Sequence, residues 1–152
     1  MASFIIVYNS TTGNTRLMAD AIREGAESLK LETAVVDAFD ARVDDLVAAD
    51  AIGFGAPTIN YHAAKPVLKI IDELAGRDVK GKIAVVFGSY GWDGIGPVII
   101  AERLREMGFR VLDPVERVVY KPTENELECL RHLGKDVAMA VKKIPHLINL
   151  NA

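Results

Sequence analysis

The chain has 152 residues, half of them hydrophobic and 26% charged, and 18 basic against 21 acidic residues leave a net charge of −3. That length accommodates one domain with a full core, the slight acidity excludes a general nucleic-acid binder, and apolar runs of strand length leave no expected membrane span. The N-terminus lacks the basic flank and cleavage site of a secretory leader, and the single Cys129 can form no internal disulfide, so a reducing, cytoplasmic setting is expected.

Phe4 to Tyr8 is a short, wholly apolar run, the pattern of a strand buried on both faces. A polar cluster from Asn9 leads to Gly13-Asn14-Thr15, after which Leu17, Met18, Ala21, Ile22, Ala26 and Leu29 recur at helical spacing. Ala34-Val35-Val36 predicts a second strand, Val43 to Val47 a short helix, and Ala51 to Gly55 a third strand stopped by Pro57. Pro66, Val67, Ile70, Ile71 and Leu74 predict a helix with proline in its first turn. Lys82 to Phe87 predicts a fourth strand, with a glycine-rich loop over Gly88 to Gly96. Val98 to Met107 predicts a helix closed by Gly108. Arg110 to Tyr120 has the character of an edge strand interrupted at Asp113-Pro114. Thr123 and Glu126 have capping-box spacing and open a helix to about Lys143.

This alternation of strand and helix predicts an α/β fold, a doubly wound parallel sheet of five strands with helices on both faces. The domain is expected over residues 1–144, followed by a short tail over 145–152.

In such a sheet ligands bind beyond the carboxyl ends of the strands, and three loops there stand out. Ser10-Thr11-Thr12-Gly13-Asn14-Thr15 joins a buried strand to a helix N-terminus. There, free N–H groups, the helix dipole and the hydroxyls of Ser10, Thr12 and Thr15 would attract phosphate. The same residues also make an ordinary helix cap. Pro57-Thr58-Ile59-Asn60-Tyr61-His62 places apolar side chains in a loop, which fits either a flat apolar ligand or a loop folded onto its own core. Ser89-Tyr90-Gly91-Trp92-Asp93-Gly94 holds the only tryptophan of the chain among glycines. It could stack on a planar ligand or cover the neighbouring helix. Together the loops describe a phosphate cradle and two walls.

Other features carry less. Gly76 to Lys82 imitates a Walker A loop but has Ile83 where a hydroxyl is needed, and it precedes a strand. His62, His132 and His146 have no metal-ligand spacing, so no metal is expected. Asp37 could imitate a ribose-binding acid, although a solvated strand end is the simpler reading. Cys129 is expected to be a packed, inert thiol. The acids Asp37, Asp40, Asp44, Asp45 and Asp50 could either dock a basic partner or simply be solvated.

Ser10 to Thr15 is similar to the flavodoxin phosphate-loop signature T/S-x-T-G-x-T. Pro57-Thr58-Ile59-Asn60 and Gly88-Ser89-Tyr90-Gly91-Trp92 resemble loops in the flavodoxin-like domain of flavodiiron proteins. The resemblance covers nearly the whole chain. It implies the strand order 2-1-3-4-5 and FMN as cofactor, with the phosphate at Ser10, Thr11, Thr12, Gly13, Asn14 and Thr15. Pro57, Thr58, Ile59 and Asn60 would line one side of the isoalloxazine; Ser89, Tyr90, Gly91, Trp92 and Gly94 would line the other. The second loop has no glycine after Gly55, and Tyr61-His62 occupies the region where many flavodoxins place one. The expected function is electron transfer between redox partner proteins by a monomer or weak homodimer, with no side-chain catalyst. An NAD(P)H:quinone oxidoreductase, or one domain of a larger flavodiiron-type oxidoreductase, stands as the alternative, as does a binding module without flavin.

Overall fold

The computed structural model describes residues 2–9, 13–59, 62–91 and 94–143, with backbone alone at 59, 62 and 63. The sheet is built on three wholly or largely buried strands, β1 (Phe4–Tyr8), β3 (Ala51–Gly55) and β6 (Ile83–Tyr90). Their continuous apolar runs need cover on both faces, which only helical crossovers of a parallel sheet provide. The half-buried β2 (Thr33–Asp37) forms one edge. All pairings in this sheet are parallel, in the order β2-β1-β3-β6-β7, with β8 also on β6. The expected fifth strand is present in two pieces, β7 (Arg110–Val111) and β8 (Glu116–Val119), separated around Asp113-Pro114. Both pair with β6, so the order 2-1-3-4-5 holds.

One face packs against α1 (Asn14–Ser28) and α5 (Glu124–Lys142), around Phe4, Ile6, Met18, Ile22, Phe87, Leu130 and Leu133. The opposite face carries α2 (Val43–Ala48), α3 (Lys65–Leu74) and α4 (Ile95–Glu106), around Ile52, Phe54, Val67, Ile71, Val86 and Leu104. In α3 the buried Val67, Ile70, Ile71 and Leu74 form a single stripe, as their spacing requires. The α1–α5 crossing is unusually close. A β-carbon on Gly25 would lie 1.9 Å from the Arg131 carbonyl oxygen, and one on Gly134 would lie 2.0 Å from that of Ile22. The capping box of α5 is complete: the Glu126 N–H donates to Thr123 Oγ1 at 3.2 Å, and the Thr123 N–H donates to Glu126 Oε1 at 3.0 Å.

Four details depart from the sequence expectation. Gly88, Ser89 and Tyr90 belong to β6, because β8 pairs with them opposite Arg117, Val118 and Val119. Helix α4 begins at Ile95, with Pro97 in its first turn, where a missing N–H costs nothing. Between β3 and α3 the chain forms a small antiparallel hairpin, β4 (Thr58–Ile59) with β5 (His62–Ala63). Cys129 is exposed and not packed, since the inward stripe of α5 passes through Leu130, Leu133 and Val137. The Gly76–Lys82 segment is a turn between α3 and β6. Among the described residues no helix is long and apolar enough to cross a membrane.

Candidate functional site

β1, β3 and β6 are successive neighbours and run the same way, so the segments leaving their carboxyl ends emerge side by side. The chain winds outward from β1 to β2 and then returns to β3, which places a topological switch point between β1 and β3. Backbone bonds tie the three exits together. The Asn9 N–H donates to the Gly55 carbonyl at 2.9 Å, and the Ala56 N–H donates to the Phe87 carbonyl at 3.2 Å.

At the first exit, Gly13 caps α1 in the left-handed region at φ 88°. No side chain caps this helix from the N-cap position, and its first turn holds no acidic residue. By contrast, α5 begins with a capping box and with Glu124 and Glu126 in its first turn. The dipole and first-turn N–H groups of α1 therefore face the sheet edge without a carboxylate of their own turn. Thr15, one residue inside the helix, is 1% exposed, and its Oγ1 lies 3.2 Å from the buried Oγ of Ser89 at the end of β6.

Arg16, the nearest cation in sequence, is held on the strand end. Its guanidinium donates to the Tyr8 hydroxyl at 2.8 Å, lies 5.2 Å from that ring's centroid and pairs with Asp20 at 3.2 Å. The bond to Tyr8, followed by that to Asp20, raises its pKa above the ordinary value and keeps it charged.

The second exit joins the third through Thr58. Its Oγ1 accepts the N–H of Gly96, the second residue of α4, at 3.0 Å. This threonine thus supplies the start of α4 with a cap from outside the helix. At the third exit the ring of Tyr90 covers Gly94, where a β-carbon would lie 2.9 Å from Tyr90 Cε1.

The structure thus brings Gly13, Asn14, Thr15, Pro57, Thr58, Ile59, Ser89, Tyr90, Gly91 and Gly94 to one edge of the sheet. Ser10, Thr11, Thr12, Asn60, Tyr61 and Trp92 lie outside the described residues. Sequence reasoning missed Tyr120, which follows β8, is 65% exposed and lies against Gly91. Only its place after an edge strand could have pointed to it. Among the described residues, no three His, Cys, Asp or Glu side chains gather as a metal site.

A topological switch point flanked by a helix N-terminus with no acidic residue in its first turn is where doubly wound sheets bind their ligands. The flavodoxin family model matches residues 6–134, and the chain belongs to that family. It is 45% identical to a solved flavodoxin from the domain Archaea, with a TM-score of 0.88, over 91% of this chain and 98% of that one. It is 33% identical over 141 residues to the type A flavoprotein fprA of Rhodobacter capsulatus, covering 90% of this chain and 32% of that protein. It is 34% identical over 148 residues to the coenzyme F420H(2) oxidase of Methanocaldococcus jannaschii, covering 92% and 35%. The chain spans about a quarter to a third of the length of the curated relatives it matches.

The chain is a flavodoxin-like, FMN-binding domain, and its donor set fits that cofactor. One bond between the Thr15 and Ser89 hydroxyls uses one O–H and leaves the other to donate elsewhere. A phosphate oxygen at the α1 N-terminus is an acceptor of the right kind.

Proposed function

We propose that this domain is an electron carrier that exchanges electrons between protein partners through its FMN. The observation that carries this reading is the placement of exposed apolar side chains. The exposed large hydrophobic residues among the described ones are Leu17, Phe39, Ile95, Val119 and Tyr120. They occupy the first turn of α1, the exit of β2, the first residue of α4 and the end of β8. All five therefore belong to the carboxyl edge of the sheet, around the cofactor site. An apolar rim of this kind is suited to transient contact with another protein.

When bound, FMN supplies the one- and two-electron chemistry. The chain supplies binding and setting. Gly13, Asn14 and Thr15, with Ser10, Thr11 and Thr12, would hold the phosphate by neutral donors and the helix dipole. Pro57 to Asn60 would line one side of the ring; Ser89 to Trp92 and Gly94 would line the other and exclude water.

Stepwise anaerobic reduction of the FMN-loaded protein, followed by absorption, tests this reading. Reduction by a protein donor and reoxidation by a protein acceptor support a carrier. Steady turnover of NAD(P)H with a quinone would replace it with a quinone reductase. A second reading, the flavodoxin domain of a larger flavodiiron-type oxidoreductase, is favoured by the relatives' greater length. In that case the exchange takes place with a domain of the same protein.

A further inference from the structure

Gly91 and Gly94 are each approached from the same edge, that of β8 and the residue after it. The Tyr120 N–H donates to the Tyr90 carbonyl at 2.7 Å and extends the β6–β8 ladder by one residue. The Tyr120 ring then lies along the Gly91 backbone. A β-carbon there would sit 2.6 Å from its Cε1 and 2.9 Å from its Cζ and Oη. At the other end, the Arg117 guanidinium reaches the Gly94 carbonyl at 3.5 Å.

Tyr120 makes this contact at a cost. Its φ is 55°, in the left-handed region where a β-carbon is strained. Glycine would satisfy that backbone without strain, and the side chain is 65% exposed, so it gains little from burial. Strain at a non-glycine residue that touches a functional segment calls for a role for the side chain.

We propose that Tyr120 is a positioning residue for the flavin site: its ring, laid on Gly91, fixes the backbone where the chain leaves β6. This rests on the assignment of Ser89 to Gly94 to one side of the isoalloxazine. Gly91 is then glycine because the ring needs the space, and the strained backbone of Tyr120 is what aims the ring.

The test compares Tyr120→Phe, Tyr120→Gly and Tyr120→Leu. Three quantities are measured: FMN affinity, apoprotein melting temperature, and iodide quenching of tryptophan emission in the apoprotein. Trp92 is the only tryptophan in the chain, so that emission reports this segment alone. The phenylalanine variant should match the parent within about twofold in affinity, because ring contact is retained. The glycine and leucine variants should bind FMN about 3- to 10-fold more weakly, the span of one lost aromatic contact. Their tryptophan should be quenched more readily. The glycine variant should nevertheless melt no lower than the leucine variant, because its backbone is relieved.

Parent-like affinity and quenching in both ring-less variants would overturn the proposal. Weaker FMN binding with parent-like quenching would make Tyr120 a ligand contact and overturn a positioning role. Should the glycine variant fail to fold, the leucine and phenylalanine pair still decides. If the parent itself binds no FMN, the cofactor assignment fails, while apoprotein quenching still separates the variants.

Discussion

Thr15 Oγ1 and Ser89 Oγ meet at 3.2 Å across a sequence separation of 74 residues, joining the first turn of α1 to the penultimate residue of β6. Both side chains are buried, with Thr15 at 1% and Ser89 at 6% exposure. Neither hydroxyl is an ordinary surface cap, so each is a candidate contributor to both packing and ligand binding.

Thr15→Ala should weaken FMN binding by about one to two decades, since a hydroxyl bond to a charged phosphate contributes roughly 1.5–3 kcal/mol. Ser89→Ala should act in the same direction, and the double variant should fall short of the sum because the two hydroxyls share one bond. Calorimetric titration checks this. Riboflavin, which has no phosphate, should bind the parent far more weakly and respond little to either substitution.

Gly25→Ala should destabilise the fold by about 1–3 kcal/mol or more, because the added methyl meets a backbone carbonyl that cannot rotate away. Gly134→Ala should do the same. Chemical denaturation of the apoprotein measures both, and a parent-like midpoint in either would mean that α1 and α5 separate without cost.

Thr58→Val removes the acceptor for the Gly96 N–H while keeping the side-chain shape. Loss of a helix cap costs about 0.5–2 kcal/mol. The effect should appear in thermal denaturation and as faster hydrogen exchange at Gly96, with the amides of α5 unaffected.

Glu116 supplies a pH-dependent term. Burial, with a smaller contribution from Glu126, holds its carboxyl above the ordinary value of 4.5. A raised pKa in the folded state means that the folded protein binds this proton more tightly than the unfolded chain. The resulting stability is complete below the ordinary value and is lost as pH rises through the folded one. Glu116→Gln should therefore be more stable than the parent at neutral pH, and the difference should close as pH falls below the carboxylate range. Denaturant midpoints at several pH values test the sign.

The fold was legible because its signals are local and agree with one another. The apolar run Phe4 to Tyr8, the stripe Val67-Ile70-Ile71-Leu74 and the Thr123/Glu126 pair each specify an element by spacing alone. Misreadings arose where distant residues decide. Gly88 and Ser89 look like a loop until β8 pairs with them, and Gly96 reads as the end of that loop, with the helix from Val98, although α4 begins at Ile95. Cys129 is apolar in type but lies one position off the inward stripe. In the candidate site, the described part of the glycine and hydroxyl pattern falls at the carboxyl edge of the sheet. The links from Thr58 to Gly96, from Thr15 to Ser89 and from Tyr120 to Gly91 join residues with no sequence relationship, and no motif records them.

Two glycines at this edge lack a side chain for opposite reasons. At Gly13 an added β-carbon would meet, among the described residues beyond its chain neighbours, no atom within 4 Å, but φ is 88°; at Gly91 the restriction is the ring of Tyr120. The first is therefore a question of handedness and the second of volume. A D-alanine installed by chemical synthesis at position 13 has the mirror-image preference and is at ease where an L-residue is not. At position 91 an L side chain is barred by the ring of Tyr120, and only trimming that ring makes room for it.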